Sequence, residues 1–154
     1  MTDDEAMGLA LEEAARAPSH GDVPVGAVIV GADGTVLSRR HNERERTGDP
    51  TAHAEILALR DAAAHLGRWR LSGATIYVTL EPCPMCAGAL VASRIERVAF
   101  GTPDPKAGAT GSLYNLCTDP RLNHEVSVSY GIRAAESAGQ LAAFFAERRG
   151  RTTD

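Results

Sequence analysis

Aromatic residues are scarce, at 5% of the chain with a single tryptophan, and no apolar run is long. The longest, from Val23 to Val30, is interrupted by Pro24 and Gly26. It falls well short of the roughly 18 apolar residues a membrane helix needs, so no spanning segment is expected. Cysteine is sparse too, with three residues, too few for the disulfide framework of a small secreted domain. The first residues, Met1-Thr2-Asp3-Asp4-Glu5, lack the basic and then greasy character of an export signal, so the expected compartment is the cytoplasm. Thiols stay reduced there, and cysteines serve as metal ligands, nucleophiles or core residues. Repeats and low-complexity stretches are also missing, which excludes fibrous and disordered classes.

No excess of positive charge marks a nucleic-acid binder, since the net charge is −4. Its distribution changes that reading. Asp3, Asp4, Glu5, Glu12 and Glu13 lie in the first 13 positions, and without them 15 acids face 16 bases. A local basic footprint remains possible, with Arg39-Arg40 and Arg148-Arg149-Gly150-Arg151 as candidates.

The 154 residues and 44% apolar content fit a single domain over 1–154, long enough to bury roughly two-thirds of its unfolded surface. Ala6, Leu9, Ala10, Ala14 and Ala17 sit close to helical spacing, which predicts a first helix over 5–17, stopped by Pro18-Ser19-His20-Gly21. Residues 25–30 and 35–38 read as a hairpin around Ala32-Asp33-Gly34. Residues 42–50 read as a charged loop, 51–66 as a helix, 74–80 as a strand, 85–92 as a short helix and 97–100 as a strand. A Gly-rich loop over 103–111, a short strand over 126–128 and a last helix over 132–149 complete the chain. Strand, helix, strand in that order predicts a parallel crossover, and the fold expected is a three-layer α/β/α sandwich around a mixed sheet of about five strands.

Chemistry concentrates at two predicted helix starts. His53-Ala54-Glu55 opens one, and Pro82-Cys83-Pro84-Met85-Cys86 opens another. Helix N-termini favour thiolates and other anions. One imidazole and two thiolates supply three ligands for Zn2+ and leave a fourth position for water, the pattern of a catalytic rather than a closed structural site. Two thiolates neutralise the ion's charge, so a nearby base is needed, and Glu55 is placed to shuttle protons without being a ligand. Taken alone, C-x-x-C also reads as a redox pair or half of a structural zinc site. A four-ligand structural site would need a further donor, and Cys117, among Leu113, Tyr114 and Leu116, reads as a core cysteine. His20, His41, His65 and His124 read as surface or supporting residues.

H-x-E followed by P-C-x-x-C is the recognised signature of zinc nucleoside deaminases. The segments from Val23 to Val28, Asp49 to Ile56, Thr79 to Gly88 and Ala107 to Leu113 resemble those of bacterial tRNA-specific adenosine deaminases. So do Leu122-Asn123-His124 and the closing Phe144-Phe145-x-x-Arg148-Arg149. The resemblance runs over nearly the whole chain. It implies a cytidine deaminase-like fold, one zinc per subunit, a homodimer, and deamination of the wobble adenosine in the anticodon stem-loop of an arginine transfer RNA.

By position it implies that Asn42 hydrogen-bonds the target base and that Asp104 lies beside the flanking nucleotides. Val25, Leu80 and Ala54 would line the base pocket, and Lys106, Phe145, Arg148 and Arg149 are candidate RNA contacts. Without the zinc motif, Asn42 reads as a loop residue capping its own backbone, and Phe144 or Phe145 as an anchor of the last helix. Two other functions fit parts of the pattern. A deaminase of free guanine or cytosine would share the zinc chemistry, and an inactive zinc-folded RNA-binding module would share the ligands but have no use for Glu55.

Overall fold

The computed structural model describes residues 1–152, with side chains through Gly150. Strand β1 (Gly26–Val30) is buried along its whole length, and its side chains divide by parity. Ala27 and Ile29 join one core, while Val28 and Val30 join another. Strands β3 (Thr75–Leu80) and β4 (Arg97–Thr102) repeat the division, with Ile76, Val78, Val98 and Phe100 in the first core and Tyr77 and Ala99 in the second. Alternating residues of a strand face opposite sides of its sheet, so a strand apolar at every position needs cover on both faces.

Helices provide that cover. On one face α3 (Ala54–Leu66) and α4 (Pro84–Ala92) supply Ala58, Ala62, Ala87 and Leu90 to the first core. On the other, α1 (Asp3–Ala14) supplies Ala6, Met7, Ala10 and Leu11, and α5 (Ala134–Thr152) packs along β4. The α1 backbone comes so close to β1 that a Cβ on Gly26 would collide with the carbonyl of Ala10. The sheet order is β2-β1-β3-β4-β5, where β2 is Val36–His41 and β5 is Ser127–Ser129. β1 is antiparallel to β2 and β3, and β3, β4 and β5 run parallel. The three layers and the mixed five-stranded sheet are those expected. Among the described residues no helix is long and apolar enough to cross a membrane.

Boundaries differ from the expected ones for identifiable reasons. The first helix ends at Ala14, and Ala17–His20 tightens into a 3-10 turn closed by Gly21 at φ 81°. The last helix starts at Ala134 rather than 132 because Gly131 and Arg133 occupy the left-handed region, at φ 79° and 53°. The segment read as loop over 42–50 contains a one-turn helix α2 (Arg44–Thr47). Its free N-terminal N–H groups are satisfied from far along the chain: the buried carboxylate of Asp22 accepts from Glu45 N at 2.8 Å and Arg46 N at 3.1 Å.

Arg39 and Arg40 do not form a basic footprint. Arg39 pairs with Glu12 and Glu13 of α1 at 3.1 and 3.2 Å, and Arg40 with Glu43 and Asp61 at 2.9 and 2.8 Å. Nor is His41 a surface residue, since it is buried with Nδ1 3.0 Å from Glu13.

Candidate active site

Sheet register brings four segments to one edge. Ala27 lies opposite Val78, so Val25, just before β1, sits beside Leu80 at the end of β3. Gly26 lies opposite His41, so Asn42 emerges at the same edge from β2. Leu80 lies opposite Thr102, which delivers the loop after β4 there as well. Helices α3 and α4 both begin at this edge, with His53 and Cys83 as their N-cap residues in extended conformations. Pro84 at the first position of α4 suits a helix start, where its missing N–H costs nothing.

Neither N-cap side chain makes a capping hydrogen bond. They converge on each other. His53 Nδ1 lies 3.6 Å from Cys83 Sγ and 3.5 Å from Cys86 Sγ, and the three donor atoms lie within 4.8 Å of one another. A tetrahedral ion with Zn–N of about 2.0–2.1 Å and Zn–S of about 2.3 Å sets its nitrogen and sulfur ligands about 3.6 Å apart. The donors are therefore spaced for zinc with His53 ligating through Nδ1, and three of them leave a tetrahedral ion one free corner. The neighbouring Cys86 thiol holds the Cys83 thiol down at about 4, and the His53 ring contributes. Cys86, buried beside that thiolate, is pushed up. Cys117 is fully buried in the first core, where burial pushes its thiol up to about 12.

A cavity of about 180 Å³ opens beside the three donors. It is smaller than the roughly 300–1,000 Å³ of pockets for drug-sized ligands and suits one heterocyclic base. Val25, Asn42, Ala54, Leu80 and Asp104 all line it, together with His53, Glu55 and Cys83. Glu55 is 4% exposed, and burial pushes its carboxyl above the ordinary range. Asn42 donates its amide to the Val23 carbonyl at 3.4 Å, while its Oδ1 is buried without a partner. Asp104 turns one oxygen back onto its own loop, accepting from the N–H groups of Lys106 and Ala107 at 3.0 and 3.2 Å.

Arg44 and Glu81 also line the cavity and were not singled out from sequence. Arg44 follows Asn42 in a segment that looks like an ordinary charged loop. Glu81 stands two residues before Cys83 and draws no notice beside the metal ligands. Its carboxylate is fully engaged by the loop after β4, accepting from Asp104, Thr110 and Ser112.

A separate concavity is lined by Lys106, Phe145, Arg148 and Arg149, so residues some forty positions apart in sequence meet. Phe144 and Phe145 part company there. Phe144 is 7% exposed and anchors α5, while Phe145, edge-on to it at 5.4 Å, is 44% exposed. The Arg148 guanidinium stacks over Phe144 at 5.2 Å, and the Arg151 side chain lies outside those described.

Comparison with known proteins places this arrangement in context. Residues 1–102 match the family described as the cytidine and deoxycytidylate deaminase zinc-binding region. A tRNA-specific adenosine deaminase of Bacillus subtilis is 51% identical over 150 residues, covering 97% of this chain and 92% of the relative. A protein of the same description from Haemophilus influenzae is 45% identical over 147 residues, covering 96% of this chain and 85% of the relative. A solved structure from work on A-to-I editing by tRNA:A34 deaminases at the wobble position superposes with a TM-score of 0.85 at 45% identity. It covers 89% of this chain and 99% of that one.

Proposed function

The chain belongs to the cytidine and deoxycytidylate deaminase zinc-binding family, and from that premise we propose that it hydrolyses the 6-amino group of adenosine at the wobble position of a transfer RNA, giving inosine. One observation carries the reading. A three-donor zinc centre and a buried carboxyl, Glu55, open together onto a cavity of single-base size.

Hydrolysis adds water at C6 of the purine and expels ammonia, so one proton of the attacking water must reach the ring nitrogen N1, where inosine keeps it, and the other must reach the leaving amine. Three carboxyls line the cavity: Glu81 is saturated by the loop after β4, Asp104 turns an oxygen back onto that loop, and Glu55 alone is buried against the zinc donors. Glu55 is the one left to carry protons. Its raised pKa suits the task, since an effective shuttle must both hold and release a proton near the working pH. Zinc bound by His53, Cys83 and Cys86 supplies the Lewis acidity that makes water nucleophilic near neutral pH.

Asn42 lines the cavity, and its amide oxygen has no partner. An amide can both accept and donate at the edge of a purine. Val25, Ala54 and Leu80 supply the apolar walls. The anticodon stem-loop suits such a site because a loop base can be splayed out without melting a duplex. Lys106, Phe145, Arg148 and Arg149 offer an exposed ring and positive charge for an adjoining stretch of that loop. Asp104, at the cavity rim, would meet the neighbouring nucleotides.

The chain acts as one unit over 1–154 and as a cytoplasmic homodimer in this reading. The exposed Leu113 and Tyr114 supply an apolar face for a second copy. The test is to incubate the protein with an arginine tRNA transcript carrying A at the wobble position, with free adenosine and with guanine, and to quantify inosine and xanthine by mass spectrometry. Inosine in the tRNA alone supports the proposal. Turnover of a free base with the tRNA untouched overturns the substrate while leaving the zinc chemistry in place.

A further inference from the structure

We infer that Glu81 is a positioning residue for the substrate: it holds the loop over residues 104–112 as one wall of the cavity and so sets affinity for the RNA, an inference that rests on the substrate reading above. The side chain is 2% exposed, yet it has no cationic partner among the described residues. Its two oxygens are instead filled by donors from a single loop. Oε1 accepts from Asp104 N at 2.9 Å and Ser112 Oγ at 2.5 Å, and Oε2 from Thr110 N at 3.1 Å and Ser112 N at 3.0 Å. A carboxylate that gathers several N–H and O–H donors stays ionised and is held in one orientation.

The loop is shaped to receive that charge. A Cβ on Gly108 would overlap the Glu81 carboxyl group itself, so the absence of a side chain there leaves the room the carboxylate fills. Pro82 adds a further tie, its carbonyl accepting from Ala109 N at 2.8 Å. Glu81 and Pro82 immediately precede Cys83, so the strand end that delivers a metal ligand also carries the anchor of the opposite wall. Asp104 and Ala107 of that loop line the cavity, and Lys106 between them lines the separate concavity. One buried carboxylate thus sets the spacing between the metal centre and the surfaces that would meet the base and its neighbours. The constellation could have served proton transfer instead, but its saturated oxygens leave no lone pair aimed at the cavity for that work.

Three variants approach the hub from different sides. Glu81→Gln replaces one accepting oxygen with an NH2 group that faces N–H donors. Gly108→Ala pushes a methyl group into the carboxylate and the Asp104 carbonyl of the loop it holds, and Ser112→Ala removes one bond from a residue distant in sequence from the zinc ligands. Each is assayed for kcat and KM on a tRNA anticodon stem-loop, for bound zinc by mass spectrometry, and for amide hydrogen exchange over 104–112. The expected result for Glu81→Gln and Gly108→Ala is a KM raised about ten-fold with kcat within about two-fold, the sign of lost uniform binding. Ser112→Ala gives a smaller rise, about three-fold. Zinc stays at the wild-type level, and exchange quickens over 104–112 but not over α4.

Unchanged KM and unchanged exchange in Ser112→Ala and Gly108→Ala would overturn the inference. So would zinc loss with a fall in kcat as the main effect of Glu81→Gln, because Glu81 would then be acting through the metal centre. A wild-type protein that leaves the stem-loop untouched overturns the substrate reading instead, and the exchange measurement still decides whether Glu81 holds the loop.

Discussion

Replacing Glu55 with glutamine separates proton transfer from metal binding. The amide keeps the shape of the side chain in a site that is 4% exposed and loses the ability to take up and release a proton. General acid-base catalysis contributes roughly 10²- to 10⁴-fold, or about 2.7–5.4 kcal/mol of barrier at about 1.36 kcal/mol per tenfold. Glu55→Gln should therefore lower single-turnover conversion of the tRNA by at least about 10²-fold. Zinc should remain, because the donors spaced 3.5–3.6 Å apart are His53, Cys83 and Cys86. Stability should hold or rise, since the substitution removes the desolvation cost of burying an ionisable carboxyl.

Cys83→Ala should behave oppositely, losing zinc and thermal stability together, because metal binding free energy contributes to folding. The assays are inosine by mass spectrometry, zinc by plasma mass spectrometry after dialysis, and melting by circular dichroism. Equal zinc loss in the two variants would make Glu55 a ligand, and activity within ten-fold of wild type would remove it from the proton path.

Other features give sharper tests of the fold. Arg97 holds the Asp3 carboxyl down at about 2 through a paired hydrogen bond. A depressed carboxyl contributes stability that is complete above its unfolded value, near 3.9, and is lost as pH falls toward about 2. The Asp3 side chain is 43% exposed, so solvent screening limits the contribution to no more than about 1 kcal/mol. Asp3→Asn should flatten the acid limb of urea-unfolding stability in that window, and an unchanged limb would deny the pair any role. Cys117→Ala should leave zinc at one ion per chain and cost about 1 kcal/mol of stability through the small cavity it opens, whereas a drop in zinc would make Cys117 a donor. Gly26→Ala should cost about 1–3 kcal/mol, because the new methyl group meets the α1 backbone at Ala10, and a neutral effect on urea unfolding would show that α1 can retreat from the sheet.

The fold was legible wherever a residue's neighbours along the chain impose its environment. The apolar run of β1 and the apolar centres of β3 and β4 require helices on both faces, and the chain alternates helices with those strands. The breaks that sequence misplaced depend on distant partners. The helix α2 inside an apparent loop exists because Asp22, more than twenty residues away, satisfies its first N–H groups. The arginines at 39 and 40 look like an open basic patch until the fold carries Glu12, Glu13 and Asp61 against them.

The site divides along the same line. His53, Glu55, Cys83 and Cys86 are visible because metal chemistry demands particular donor types, and two helix starts supply them at short spacings. Glu55 and Glu81 look alike as residues: each is a glutamate two positions from a zinc donor, and each is buried at the same cavity. What separates them is which groups occupy their oxygens. Four donors from the loop over 104–112 fill Glu81, and every one lies more than twenty residues downstream. A carboxylate whose oxygens are full can only hold a shape, and of these two buried glutamates that leaves Glu55 as the one that can move a proton.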